Sequence, residues 1–95
     1  MKDFNGKLAV VTGGASGVGF AIGEALAKHG AKVVLTDIEK ESLENSTALL
    51  VNHSLNVFCM VADVSNIESM HELASWCQAE HGPVHLLFNN AGVAP

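Results

Sequence analysis

The run Thr12-Gly13-Gly14-Ala15-Ser16-Gly17-Val18-Gly19 joins a short apolar stretch to a helical one through glycines. Such a turn can cradle a phosphate. The start of a helix offers unpaired N–H groups and a partial positive charge, and glycine lets a pyrophosphate approach the backbone closely. Here Gly13 would turn the chain, Gly17 and Gly19 would free the helix entrance, and Ser16 could add a hydroxyl donor. The spacing Gly13-x-x-x-Gly17-x-Gly19 differs from the common G-x-G-x-x-G, and glycine also builds tight turns that hold no ligand. The readable strand before this run and helix after it supply the context a dinucleotide site requires.

Three further groups fall where such a site needs them. Asp37 ends the second apolar run, about twenty residues after the glycine turn, where a carboxylate accepts hydrogen bonds from the adenosine ribose and repels the extra phosphate of NADP. No Lys or Arg lies in the glycine run to offset that repulsion, so Asp37 favours NAD; its structural alternative is a cap for the helix after Ile38. Asp63-Val64 closes the third apolar run, where Asp63 could fix an adenine amino group and Val64 pack on the ring, or Asp63 could simply serve the turn before Ser65. Asn89-Asn90-Ala91-Gly92 follows the fourth run. Its asparagines can tie that loop to neighbouring strands, and small Ala91 and Gly92 leave room for a ribose or nicotinamide, although turn chemistry alone also explains the sequence.

The elements that must position these residues alternate. Strands are expected over 7–12, 32–37, 56–62 and 84–89. Helices are expected over 17–29, with Val18, Ala21, Ile22, Ala25 and Leu26 inward, and over 39–52, with Leu43, Thr47, Leu50 and Val51 inward. Ser65 and Glu68 have capping-box spacing, and the helix they open would turn Ile67, Met70, Ala74 and Cys77 inward. Gly30 and Gly82-Pro83 suit helix ends. This alternation implies right-handed βαβ crossovers in an α/β, Rossmann-type, doubly wound parallel sheet of strand order 3-2-1-4. Ligands bind beyond the carboxyl ends of the strands where the winding reverses, between strands 1 and 4. Both glycine-bearing loops fall there.

Bulk properties narrow the class. The chain has 95 residues, 48% of them hydrophobic, which suits one small domain or part of a larger one. Its net charge of −5 and lack of a basic patch argue against nucleic acid as a partner. The polar first residues are followed by too few apolar ones for a signal peptide or membrane span. Cys59 and Cys77 fall inside predicted elements and read as core thiols, so a reducing cytoplasm is expected. His29, His53, His71, His81 and His85 lack metal-ligand spacing and read as helix-end or surface residues, with Trp76 as packing.

Taken together, these motifs resemble the short-chain dehydrogenase/reductase family. Residues 12–19 resemble its T-G-x-x-x-G-[IV]-G motif, Asp63-Val64 its adenine-site pair and Asn89-Asn90-Ala91-Gly92 its N-N-A-G motif. The resemblance covers essentially all 95 residues. It implies an NAD-dependent oxidoreductase acting on an alcohol or carbonyl, commonly a homodimer or homotetramer. Gly13, Gly14, Ala15, Ser16, Gly17, Val18, Gly19 and Phe20 would wrap the pyrophosphate, and Asp37 and Ile38 would meet the ribose. Asp63 and Val64 would hold the adenine, while Asn90, Ala91 and Gly92 would line the nicotinamide-side ribose.

The departure is in the chemistry. The family uses a serine and a Y-x-x-x-K pair beyond the N-N-A-G strand, the tyrosine as general acid/base and the lysine lowering its pKa. These 95 residues contain no tyrosine, so no catalytic residue is assigned and no turnover is expected from them alone. An apolar fourth strand at the sheet edge likewise suggests the cofactor-binding half of a longer enzyme. The alternative is a non-catalytic dinucleotide-binding module or an inactive truncated product.

Overall fold

The computed structural model describes residues 3–90. The elements are β1 (Leu8–Thr12), α1 (Gly17–Lys28), β2 (Lys32–Asp37), α2 (Lys40–Val51), β3 (Val57–Val61), α3 (Ile67–Glu80) and β4 (Leu86–Asn89). The strands form one sheet in the order β3-β2-β1-β4, every pairing parallel. This is the expected order. Thr12 of β1 stands opposite Thr36 of β2 and Asn89 of β4, so the central strands end level with one another.

Alternation along the strands splits the core between two faces. Ala9, Val11, Val33, Leu35 and Val57 pack with Leu26 and Ala27 of α1 and Leu43 and Leu50 of α2. On the other face Leu8, Val10, Val34 and Ala62 pack with Leu73 and Cys77 of α3. All five residues of β1 are buried, as a strand covered on both faces must be. At the sheet margin β4 pairs with β1 alone among the described residues, and Leu87 and Phe88 are exposed.

The helices turn differently from the apolar spacing. The buried face of α1 is Gly19, Gly23, Leu26 and Ala27, with Ile22 partly buried, whereas Val18, Ala21 and Ala25 face out. Close approach is the cause: a Cβ on Gly23 would lie 2.6 Å from Leu35 Cδ2, so the helix seats its smallest residues on the sheet. In α2, Leu43, Thr47 and Leu50 are inward as expected, but Val51 at the helix end is exposed. In α3 Cys77 and Met70 point inward together with Leu73 and Trp76, while Ile67 and Ala74 face solvent.

The expected capping box also gives way to a neighbour. Ser65 donates its N–H and hydroxyl to Asp63 Oδ1 at 2.9 and 2.6 Å. Asn66 becomes the N-cap instead, its Oδ1 accepting the Ser69 N–H at 3.1 Å. Gly30 and Gly82, at φ 98° and 93°, follow the last residues of α1 and α3 as anticipated.

Both cysteines are free. Cys77 is buried, and burial pushes its thiol pKa up, in keeping with a core role. Three histidines do sit at helix ends. His29 and His53 bond the carbonyls of Ala25 and Leu49 through Nδ1, and His81 is the C-cap residue of α3. The His81 ring lies 4.5 Å from Phe58 and 4.9 Å from Trp76, centroid to centroid. Among the described residues there is no metal-ligand cluster and no helix long and apolar enough to cross a membrane.

Two outcomes are expected. Leu35 is fully buried, so Leu35→Ala should cost about 2–5 kcal/mol in denaturant unfolding. Burial, then the charge of Lys32, holds the His81 imidazole below its ordinary pKa of 6.5, with Glu80 opposing. The unfolded chain therefore binds more protons in that window, and stability is full above about pH 6.5 and lost as pH falls through the folded value. Thermal unfolding midpoints should drop from about pH 7 to about pH 5, and less steeply in His81→Phe.

Candidate functional site

At the end of β1 the backbone turns through Gly13 at φ 66°, a conformation that side chains other than glycine rarely adopt. Ser16 then caps α1, its Oγ accepting the Gly19 N–H at 3.1 Å. Gly19 is required by the fold, because a Cβ there would collide with the carbonyl oxygen of Gly13. Gly17 is different. Nothing lies within 4 Å of where its Cβ would stand, so no packing within the described residues asks for glycine.

The N–H groups of Gly17 and Val18 have no partner among the described residues, and both residues are exposed at the first turn of α1. They are the orphan donors of a helix start, at its positive end. Neighbouring N–H groups are already committed. Gly14 donates to Thr36 O at 2.9 Å and Ala15 to Asp37 Oδ2 at 3.1 Å. The anion-facing part of the turn thus narrows to two amides.

Asp37 braces this turn from β2. Its Oδ2 receives the Ala15 N–H, and its Oδ1 receives the Glu39 N–H at 3.2 Å. It does not cap α2, whose N-cap residue Glu39 makes no side-chain cap bond. Each carboxylate oxygen has a further lone pair, which leaves acceptor capacity toward solvent. Ile38, the next residue, is 60% exposed, a bare apolar surface at this end of the sheet.

A chain of hydrogen bonds braces the turn from β4. Thr12 Oγ1 donates to Asn89 Oδ1 at 2.8 Å and accepts the Asn90 N–H at 2.9 Å. Asn90 Nδ2 donates to Ser16 Oγ at 2.9 Å, and Ser16 Oγ donates to Gly13 O at 2.7 Å. The Ser16 hydroxyl proton therefore knits the loop instead of facing outward. The asparagine tie between the fourth strand and its neighbours is present, and Ala91 and Gly92 lie outside the described residues.

Asp63 and Val64 follow β3, next to Asp37: the Ala62 N–H donates to Asp37 O at 3.2 Å. The two hydrogen bonds from Ser65 to Asp63 Oδ1 lower the Asp63 pKa, so the group is a carboxylate at neutral pH. Its Oδ2 has no partner among the described residues. The glycine turn, Asp37 and Asn90 are thus joined directly, and Asp63 stands one strand further out. Thr12 and Asn89 carry more of this assembly than the sequence motifs indicate. Their signal is a hydroxyl and an amide closing two apolar strands side by side in the parallel register.

This arrangement, an open glycine-lined helix start between two braced strand ends, has many parallels. Residues 7–95 match the family model described as short chain dehydrogenase. The chain belongs to the short chain dehydrogenase family. A 1-deoxy-11-beta-hydroxypentalenate dehydrogenase of Streptomyces avermitilis is 42% identical over 85 residues, covering 90% of this chain and 32% of that protein. A short chain dehydrogenase/reductase from Burkholderia phymatum, solved in complex with NAD, superposes with a TM-score of 0.91 at 42% identity, over 98% of this chain and 33% of its own. A hydroxysteroid dehydrogenase from Escherichia coli gives a TM-score of 0.91 at 28% identity, over 96% of this chain and 39% of its own. The chain spans about a third of the length of the curated short chain dehydrogenase relatives it matches.

The two glycines should separate under mutation. Gly19→Ala should lower the unfolding free energy by at least about 1 kcal/mol through its clash with the Gly13 carbonyl. Gly17→Ala should leave stability unchanged or raise it by up to about 1 kcal/mol, since a helix residue there gains from a lost unfolded-state entropy. Urea unfolding of both variants beside the parent measures the contrast.

Proposed function

We propose that residues 1–95 are the NAD-binding segment of an oxidoreductase that moves hydride between NAD and an alcohol or carbonyl substrate. The observation that carries this reading is Gly17: the position is open in front of two helix N–H groups unpartnered among the described residues, while the other turn glycines, Gly13, Gly14 and Gly19, each have a structural reason to be there. A Cβ at Gly17 would stand in open space, which this reading gives to the anion. The relative solved with NAD supports the same cofactor class.

On this reading the Gly17 and Val18 N–H groups hold the pyrophosphate, at a turn shaped by Gly13, Ala15, Ser16 and Gly19. Asp37 keeps the turn in place and offers its remaining lone pairs to the ribose hydroxyls, with Ile38 against the sugar. Its negative charge, uncompensated by any Lys or Arg in the glycine run, opposes a 2′-phosphate and so favours NAD over NADP. Asp63 accepts from the adenine amino group through its unpartnered oxygen, and Val64 and Val18 present apolar surface. Asn90, Ala91 and Gly92 line the nicotinamide-side ribose. When bound, NAD supplies the hydride acceptor and NADH the donor.

The acid/base groups are proposed to come from outside these residues, which hold no tyrosine. The names of the relatives, a 1-deoxy-11-beta-hydroxypentalenate dehydrogenase and a hydroxysteroid dehydrogenase, favour an alcohol or carbonyl as the substrate class. A homodimer or homotetramer in the cytoplasm completes the proposal. A serine followed by Y-x-x-x-K encoded beyond Pro95 supports the enzyme, whereas a stop codon there favours a non-catalytic binding module.

NADH fluorescence titration of the intact protein tests the site. Gly17→Val should weaken NADH binding at least tenfold, about 1.4 kcal/mol. Asp37→Arg should turn a preference for NADH into one for NADPH. Equal affinity of the parent for both cofactors would overturn the role given to Asp37, and binding of neither would overturn the site.

A further inference from the structure

A second concave surface lies at the opposite end of the sheet. It is a cleft of about 180 Å³, lined among others by Lys7, Lys32, Asn56, His81 and His85. Four of these stand at or just before the starts of β1, β2, β3 and β4, where a parallel sheet gathers them, and His81 ends α3. The chain carries a net charge of −5 with only five Lys and Arg, yet two of the five meet in this cleft and no carboxylate lines it among the described residues. Asp3 lies at the rim beside Gly30, its two oxygens accepting the backbone and side-chain N–H groups of Asn5 at 2.9 Å. Glu80, beside His81 on α3, is exposed.

The histidines add donors without acceptors. Both ring nitrogens of His81 are buried and have no hydrogen-bond partner among the described residues, although an imidazole always carries at least one N–H. The ring is fixed by Phe58 on β3 and Trp76 on α3, so it cannot simply swing out to solvent without losing both contacts. His85 Nδ1 accepts the Leu8 N–H at 3.0 Å, which places the proton of the neutral ring on Nε2 as another donor. Buried donors that lack an acceptor and cations that lack an anion are both satisfied by one oxyanion.

We propose that this cleft binds a phosphate group, as inorganic phosphate or a small phosphomonoester, with Lys7 and Lys32 supplying charge and His81, His85 and Asn56 supplying hydrogen bonds. A tetrahedral anion suits donors that converge from four strand starts and a helix end better than a planar carboxylate does. This site is independent of the dinucleotide reading, and it occupies the other end of the same strands.

Histidine-ring and amide NMR of the intact protein tests it. Inorganic phosphate should raise the His81 titration by about one unit, because a bound anion favours the imidazolium against Lys32 and burial. It should also shift the Leu8 amide, which reports on His85. Lys7→Gln combined with Lys32→Gln should weaken the phosphate effect at least tenfold, its amide spectrum showing that the fold is kept. Methyl phosphate acting like inorganic phosphate assigns a monoester, and its failure to act assigns the free ion. Three results would overturn the proposal: chloride at matched ionic strength giving the same shift, phosphate leaving His81 and Leu8 unmoved, or the double variant responding as the parent does. Should the double variant fail to fold, the comparison of phosphate with chloride on the parent decides alone. Phosphate captured at the glycine turn leaves both reporters unmoved, since they sit at the far end of the sheet.

Discussion

The four strands run in the same direction, and most of what is distinctive here follows from that constraint. A parallel sheet must return its chain by a crossover between successive strands, here a helix each time, so every strand starts at one end and finishes at the other. The finishing end receives the glycine turn, Asp37, Asp63 and Asn90 from four separate strands. The starting end receives Lys7, Lys32, Asn56 and His85 in the same way. At either end the residues come from separate strands far apart in sequence, and the sheet alone makes them neighbours.

Within that frame, two buried threonines adapt the ends of the central strands. Thr36 donates to Met60 O at 2.6 Å, joining β2 to β3, and Thr12 joins β1 to Asn89 and Asn90 after β4. A hydroxyl in a buried strand needs a partner, and at these positions the partner lies across the sheet. The glycine turn therefore rests on strand ends that are already tied laterally.

Much of the fold was legible because its signals are local. Apolar runs bounded by glycine and polar residues gave the strands, and the 3-2-1-4 order followed from their alternation with helices. Which helix face turns inward was less legible. Apolar spacing put Val18, Ala21 and Ala25 inside, but α1 lies so near Leu35 that glycines take the contact, a distance no single segment records. The cap of α3 failed for a related reason: Ser65 and Asn66 both have capping chemistry, and Asp63 claims Ser65 first. In the candidate site, the glycines and Asp37 were visible as types at a spacing. The bracing by Thr12 and Asn89 depends on register between strands far apart in the chain, and so does the enclosure of His81 by Phe58.

The Ser16 oxygen receives hydrogen bonds from Gly19 and Asn90 and gives one to Gly13. One atom thus fastens the turn, the helix start and the strand β4 exit to each other. The free amides of Gly17 and Val18 are consequently aimed before any ligand arrives. An anion docking there would freeze little further motion, and its binding entropy would be correspondingly less unfavourable. The same fastening makes the two walls of the site mechanically one body, so a displacement of the β4 exit is felt at the helix start.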